Sequence, residues 1–473
     1  AWLTPDRVRF VGDFLLRQGT VEVVEQPGVL FPQALPLDVF LHYALPLKLT
    51  AAHLVDANGA ARLLGAVEAA MLGALAAAFA RTLELRGGAA LACAAVVLFG
   101  GYLGMFTGFS KAFAELCVLV AVAGVSGITA LRTGRGLFAF GLAAGVGLTL
   151  HRSALGMFPA LALVWGLWLA RHGRDGAWRR PGVLAAALPP LLAIAVMAPR
   201  IIGTGLHTDT AVHFAPPEVL AQGGVLGAAL AGTRPLDFAS LALMLSPLAV
   251  AIPLMAPLLA PAIARRPGRG REALVLATLA LPFVGVMVFI HPAQGLFRDW
   301  DDFAATGVAL SLLAAWLVGE TLRDAHRFAW LAVAVTFGVA VPAVQWLIAH
   351  TDTDRGLARV RAFVLERPIR PPPQRGTTWD YLGIRSYRLN RFADAQEAFA
   401  RAAETSPSPR ILHEWALAAT MTNDLRTAQR AYQRLMRVGR VDEARRWARA
   451  YLARDPGSPW AVMLSRELAG VRE

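Results

Sequence analysis

The chain has 473 residues, 56% of them hydrophobic, and a mean hydropathy of +0.48. That excludes an ordinary soluble globular protein, because the apolar residues come in blocks long enough to need lipid around them. The net charge of +13 is not a nucleic-acid signal: of the 46 basic residues only Lys48 and Lys111 are lysines, and many of the arginines sit in short loops between apolar runs.

Residues 1–36 form a polar, loop-like segment with Asp6, Arg7, Arg9, Asp13, Arg17, Glu22 and Glu25, closed by the turn-rich QPGVLFPQALP. With neither an initiator Met nor a signal peptide at Ala1, a transmembrane helix upstream of it is expected. Leu37–Leu54 is amphipathic, carries Asp38, His42, Lys48 and His53, and is interrupted by Pro46. This predicts a helix lying in the membrane interface and not crossing it. About ten spanning runs follow, near 63–80, 88–105, 112–131, 136–150, 154–170, 183–199, 237–262, 273–290, 303–322 and 328–349. Cys93 and Cys117 both fall inside apolar runs and read as small packing residues, not as a disulfide or a metal pair.

The loops around Arg81/Arg86, Arg132/Arg135, Arg171–Arg180, Arg265–Arg271 and Arg323/Arg327 are basic. They alternate with loops that are not: 56–62, 106–111, 151–153, 200–236 and 291–302. The positive-inside rule makes the first set cytoplasmic and the second outer, which also puts residues 1–36 and everything after 350 outside. Residues 350–376 are polar and Pro-rich and read as an extended linker. From 377 a helical repeat begins: Trp379, Leu382, Gly383, Ala395, Phe399, Ala402 and Pro407 fit the tetratricopeptide pattern, and Trp415, Ala416, Ala428 and Tyr432 repeat it 33–34 residues on. A truncated third unit covers Val441–Pro456. So short an array is expected to rest on the membrane domain or a protein partner. The expected fold is all-α: an outer loop and interfacial helix (1–62), a multispan membrane bundle (63–349), a linker (350–376) and a short solenoid (377–473).

Charges recur at span ends on one side only. His291–Phe303 (HPAQGLFRDWDDF) packs Arg298, Asp299, Asp301 and Asp302 beside Trp300. Lys111 and Glu115 stand at i and i+4; His151 and Arg152 occupy a tight turn between apolar runs; Asp13 sits in VGDFLLRQG. Each has a plainer reading: a solvated loop, a helix ion pair, a polar turn, a helix cap. Ionisable groups are costly in hydrocarbon, however, so their recurrence points to one shared water-filled cavity, which Glu68 also reaches. The cations suit a phosphate, and the carboxylates a base or a divalent metal ion. Glycosyl transfer needs that mixture. No Walker loop, zinc spacing or Ser-His-Asp signature is present.

The layout resembles the GT-C superfamily of polyprenyl-phosphate-sugar-dependent glycosyltransferases, including the protein O-mannosyltransferase-like relatives. Asp13 stands where those families carry a catalytic Asp in the first outer loop, and Pro36–Leu37 where they have a Pro-Leu interfacial helix. Ser110-Lys111 with Glu115 matches their outer polar turn, and His151-Arg152 a basic residue in a further outer turn. The likeness covers most of residues 1–349, and the paired acidic motif of many members is absent, since Asp13 is flanked by Gly12 and Phe14.

The resemblance implies a transferase moving a sugar from a lipid-linked donor to an acceptor at the outer face of a bacterial inner membrane, with the C-terminal domain periplasmic. Asp13 would be catalytic; Lys111, Glu115, His151, Arg152, Arg298, Asp299, Asp301 and Asp302 would bind substrate. Asp13, Arg152 and Arg298 are expected to converge on one cavity, the two arginines gripping the carrier phosphate. The expected partners are the lipid-linked donor, membrane lipid and a protein bound by the repeats; nucleic acid is not one. A membrane-anchored repeat scaffold for envelope assembly is the alternative. A transporter comes third, as there is no inverted internal repeat and no pair of Gly/Pro-broken spans in matching positions.

Overall fold

The computed structural model describes residues 3–10, 34–109, 111–172, 181–292, 295–323, 329–367 and 369–438, with isolated residues beyond 447. It divides into two units, Ala1–Asp352 and Thr353–Glu473. The described residues are all-α.

The first unit begins with α1 (Pro36–Val39), a π-helical turn (Phe40–Ala44) and α2 (Leu45–Ala51). Then come α3 (Ala57–Thr82), α4 (Gly87–Leu98), α5 (Phe113–Thr133), α6 (Leu137–Leu150), α7 (Phe158–His172) and α8 (Pro181–Thr204). Two short helices, α9 (Pro217–Ala221) and α10 (Gly224–Leu230), lead to α11 (Arg234–Leu245) and α12 (Ala251–Arg265). α13 (Arg269–Phe289), α14 (Ala304–Leu322) and α15 (Ala329–Thr351) complete the unit. Seven of the described helical segments are long and apolar enough to cross a membrane, and a bent pair makes an eighth. α14 is apolar and buried nearly all round, as a central helix must be, while α15 exposes most of its surface. Pro36–Ala51 is not among the spanning helices.

Two of the expected spans are broken. Residues 88–105 become α4 and a 3₁₀ segment (Gly101–Thr107) bent by 62°, because Phe99 and Gly100 are extended. Residues 237–262 become α11 and α12, because Ser246 is extended ahead of Pro247, whose ring disfavours the helical region for the residue before it. The two breaks meet: a Cβ on Gly100 would lie 2.3 Å from the Leu245 carbonyl oxygen, and one on Gly101 2.4 Å from that of Met244. Only glycine permits this approach. Backbone groups freed in an apolar interior need partners, and the Tyr102 hydroxyl donates to the Val97 carbonyl at 2.5 Å. Ser311 Oγ donates to Ser246 Oγ at 3.0 Å.

The loops sort by charge. At the basic end two carboxylates, Glu272 and Glu320, are clamped by arginines. Arg132 holds Glu272 through Nε and Nη2 at 2.8 and 3.1 Å; Arg269 reaches it at 2.8 Å and Trp316 Nε1 at 2.9 Å. Glu320 takes Arg266, Arg269 and Arg323 at 3.1, 3.4 and 2.6 Å. Arg323 also donates to the Leu83 carbonyl, tying α14 to the end of α3.

In the second unit α16 (Thr353–Leu365) and the first turn of α17 (Pro372–Arg388) are helical where an extended linker was expected. Leu357, Val360 and Val364 supply a buried stripe, and the prolines sit at the helix start, where a missing N–H costs nothing. α17, α18 (Phe392–Thr405), α19 (Pro409–Met421) and α20 (Leu425–Val438) pack successively on one another. The positions of the repeat pattern, Trp379, Leu382, Ala395, Phe399, Ala402, Trp415, Ala416, Ala428 and Tyr432, are buried between them. Gly383 lets the Phe399 ring approach to where its own Cβ would be, 2.6 Å. Most of the expected third unit, 441–456, lies outside the described residues.

Candidate functional site

Residues from four non-basic loops and from α1 line one cavity of about 260 Å³. Its ionisable lining is Asp38, Lys111, His151, Arg152, Asp209, His213, Asp299 and Asp302, with Ser153 and Thr208 beside them. Local structure explains how each arrives there. Pro36 opens α1, placing Asp38 in its first turn, where it is 1% exposed. Lys111 precedes α5, so it is not on a helix face with Glu115. Its Nζ instead contacts Asp301 Oδ2 at 2.7 Å and Asp302 Oδ1 at 3.0 Å. Glu115, in the first turn of α5, turns the other way, to His42 Nε2 at 3.2 Å, and His42 lies 3.7 Å from Asp38. Glu68 does not line the cavity; it is buried behind it, within hydrogen-bonding reach of Glu115.

His151 ends α6 in an extended conformation, and its Nδ1 accepts from the Ser153 backbone N–H at 3.2 Å, leaving the neutral ring's proton on Nε2. Its ring packs on Phe113 at 4.5 Å. Arg152 opens the next 3₁₀ turn (Arg152–Met157). Its Nε and Nη2 are taken by the two oxygens of Asp209, both at 2.6 Å, while Nη1 is buried without a hydrogen-bond partner among the described residues. The fork is therefore already engaged, and the Nη1 amino group is left for a ligand.

The RDWDD loop is set by a turn at Gly295 (φ +93°), whose carbonyl accepts from the Arg298 and Asp299 N–H groups. Trp300 is buried against Gly104 and, edge-on at 5.9 Å, Trp346, which fixes the aspartates after it. Asp301 is fully buried on Lys111, and Asp299 and Asp302 face the cavity. Arg298 does not line it: its guanidinium stacks 5.5 Å from the Phe10 ring. Asp13 lies outside the described residues.

Sequence reasoning did not single out Asp209 or His213, and named Asp38 and His42 only as interfacial polarity. Asp209 and His213 belong to a π-helical extension of α8 (Gly205–Phe214), read from sequence as loop. Their i, i+4 spacing at the end of an apolar run was the available signal. His213 Nδ1 lies 3.1 Å from the His291 carbonyl, and the His291 N–H donates to the His213 carbonyl at 3.0 Å, joining α8 to the RDWDD loop. Arg234 donates to the Ile290 carbonyl at 2.7 Å. Burial and the nearby Arg234 cation hold the His291 imidazole down at about 4, so it is neutral near pH 7.

Among the described residues no group of three or more His, Cys, Asp or Glu side chains is arranged to hold a metal ion. The described lining carries two fixed cations, Lys111 and Arg152, against the four carboxylates of Asp38, Asp209, Asp299 and Asp302.

Fold and site define the class: a polytopic, all-α membrane protein with a charged cavity at the non-basic end of its bundle. Comparison with protein-family models, with curated proteins and with solved structures gives no match.

Proposed function

We propose that the protein is a membrane glycosyltransferase of GT-C type, moving a sugar from a polyprenyl-phosphate carrier to an acceptor at the non-basic, outer face of a bacterial inner membrane. The observation that carries the reading is the cavity, where Lys111, His151 and the unengaged Nη1 of Arg152 meet Asp38, Asp209, Asp299 and Asp302. Cations beside carboxylates are what a leaving phosphate and an acceptor hydroxyl require. The charge balance narrows the donor. A carrier phosphodiester has one negative charge and fits an acidic lining better than a pyrophosphate with two.

In this scheme Asp13 is the acceptor base, and Asp38, the buried carboxylate on the interfacial helix, is its rival for that role. Lys111 and Arg152 Nη1 steady the departing phosphate. Arg298, with Asp299, Asp301 and Asp302, shapes the loop that closes the site, with a divalent ion as a further balance for the carboxylates. The second unit is a tetratricopeptide-type module that recruits the acceptor or a protein partner.

The test is transfer of a labelled hexose from polyprenyl phosphate by the full chain in proteoliposomes. Asp13→Asn lowers the rate about 10²–10⁴-fold if it is the base; if Asp38→Asn does so instead, the role moves to Asp38. Normal transfer by both variants sinks the base assignment, and no transfer by the wild type with any such donor sinks the class.

The carboxylate-rich lining and the paired helix breaks favour one second reading, a transporter of a cationic solute. Uptake of a labelled cation by the same vesicles, without sugar transfer, decides for it.

A further inference from the structure

We infer that the basic end of the bundle carries a binding site for the phosphate headgroup of an anionic glycerophospholipid. A second pocket, of about 150 Å³, opens there between α7 and α13, with room for a phosphate group but not for a whole lipid. Arg132, Arg171 and Arg271 line it, with Trp168 and Leu167 as its apolar wall. Arg132 is committed to Glu272. Arg171 donates through Nη1 to the Leu131 carbonyl at 3.1 Å, and neither it nor Arg271 pairs with a carboxylate among the described residues. The pocket thus holds one carboxylate, Glu272, already shared by Arg132 and Arg269, and two further cations.

Gly268, at φ +83°, starts α13 on the pocket's edge without a side-chain cap, so the helix adds the positive end of its dipole to the arginines. The Trp168 indole donates to the Gly134 carbonyl at 3.2 Å, which holds the wall in place.

What makes the ligand a lipid is the surface running away from the pocket. From Arg271 the exposed face of α13 continues through Leu274 (51% exposed) to Leu281 (71% exposed), at i+3 and i+10. That stripe is apolar and exposed at both leucines, so an acyl chain lies along it while the headgroup sits among the arginines. Basic pockets at the ends of membrane helices recognise anionic headgroups in this manner. Bidentate arginine contacts to phosphate oxygens supply the selectivity. The site is independent of the cavity at the other end.

The experiment is titration of the detergent-solubilised full chain with phosphatidylglycerol, phosphatidylcholine and inorganic phosphate, read by native mass spectrometry. One phosphatidylglycerol should bind in preference to phosphatidylcholine. Each surface arginine contributes a factor of about five, so Arg171→Gln with Arg271→Gln should weaken phosphatidylglycerol binding about 25-fold. Arg171→Lys with Arg271→Lys should keep much of it. Leu274→Gln should weaken phosphatidylglycerol while leaving inorganic phosphate unchanged, which separates the chain track from the headgroup. Equal affinity for the two lipids, or unchanged phosphatidylglycerol affinity in the Gln variant at an unchanged melting temperature, overturns the site. If inorganic phosphate binds as tightly as phosphatidylglycerol, the pocket serves a soluble anion and the lipid assignment falls.

Discussion

The two ends of the membrane bundle use the same residue types for opposite purposes. At the basic end Glu272 and Glu320 each meet two or three arginines within 3.5 Å, and their oxygens are consumed by the contacts. At the other end the pairs are sparser and border a cavity: Lys111 is shared between Asp301 and Asp302, Arg152 Nη1 is buried without a hydrogen-bond partner among the described residues, and Asp38 and Asp299 line the space beside them. A saturated network ties helices together. An incompletely matched one, held around a cavity, is poised for a ligand.

The largest effect should come from breaking the cavity's buried pair. Lys111→Met leaves Asp301 charged and fully buried, and removing one partner of a buried pair costs about 3–5 kcal/mol. Thermal unfolding in detergent should therefore drop sharply. A second-site Asp301→Asn should recover much of that stability without restoring transfer. Glu272→Gln is the matching change at the basic end: Arg132 and Arg269 lose the Glu272 carboxylate, but Arg269 keeps Glu320 and Arg132 the more distant Glu84, so the cost should be no more than about 3 kcal/mol. Its surviving folded fraction should transfer sugar at the wild-type rate, since the network is not part of the cavity. If the folded fraction transfers sugar more slowly than the wild type, the contrast between the ends fails.

A smaller effect tests packing between them. A Cβ on Gly141 of α6 would lie 2.0 Å from the Ala186 carbonyl oxygen of α8. Gly141→Ala should cost about 1–3 kcal/mol through overpacking, visible as a lower melting temperature. The smallest concerns pH. His291 is held at about 4 in the fold against an ordinary 6.5, chiefly by burial and then by Arg234. The unfolded chain thus binds more protons between those values, so this contribution to stability is complete above pH 6.5 and is lost as pH falls toward 4. His291→Gln should flatten that limb; because the ring is partly exposed, the change should be below about 1 kcal/mol.

The sequence by itself determined what depends on local composition and period. Apolar runs gave the spanning helices, the arginine alternation separated two sets of loops that do gather at separate sites, and Pro36 and Pro46 marked a helix too short and polar to span. The residues that line the cavity from Lys111, His151-Arg152 and Asp299–Asp302 were legible because charge at the end of an apolar run is expensive and therefore conspicuous. The partners were not. Lys111 and Glu115 look like an i, i+4 pair on paper, yet α5 starts at Phe113, so each turned to a residue far away in sequence. Asp209 became the second half of an Arg152 fork only because α8 extends through a π-helical segment to Phe214. The burial of Trp300 and the meeting of the two helix breaks at Gly100 and Leu245 rest on contacts across more than a hundred residues. Tertiary packing alone could decide them, because the energy of a buried charge or a broken helix is set by whatever comes to lie beside it.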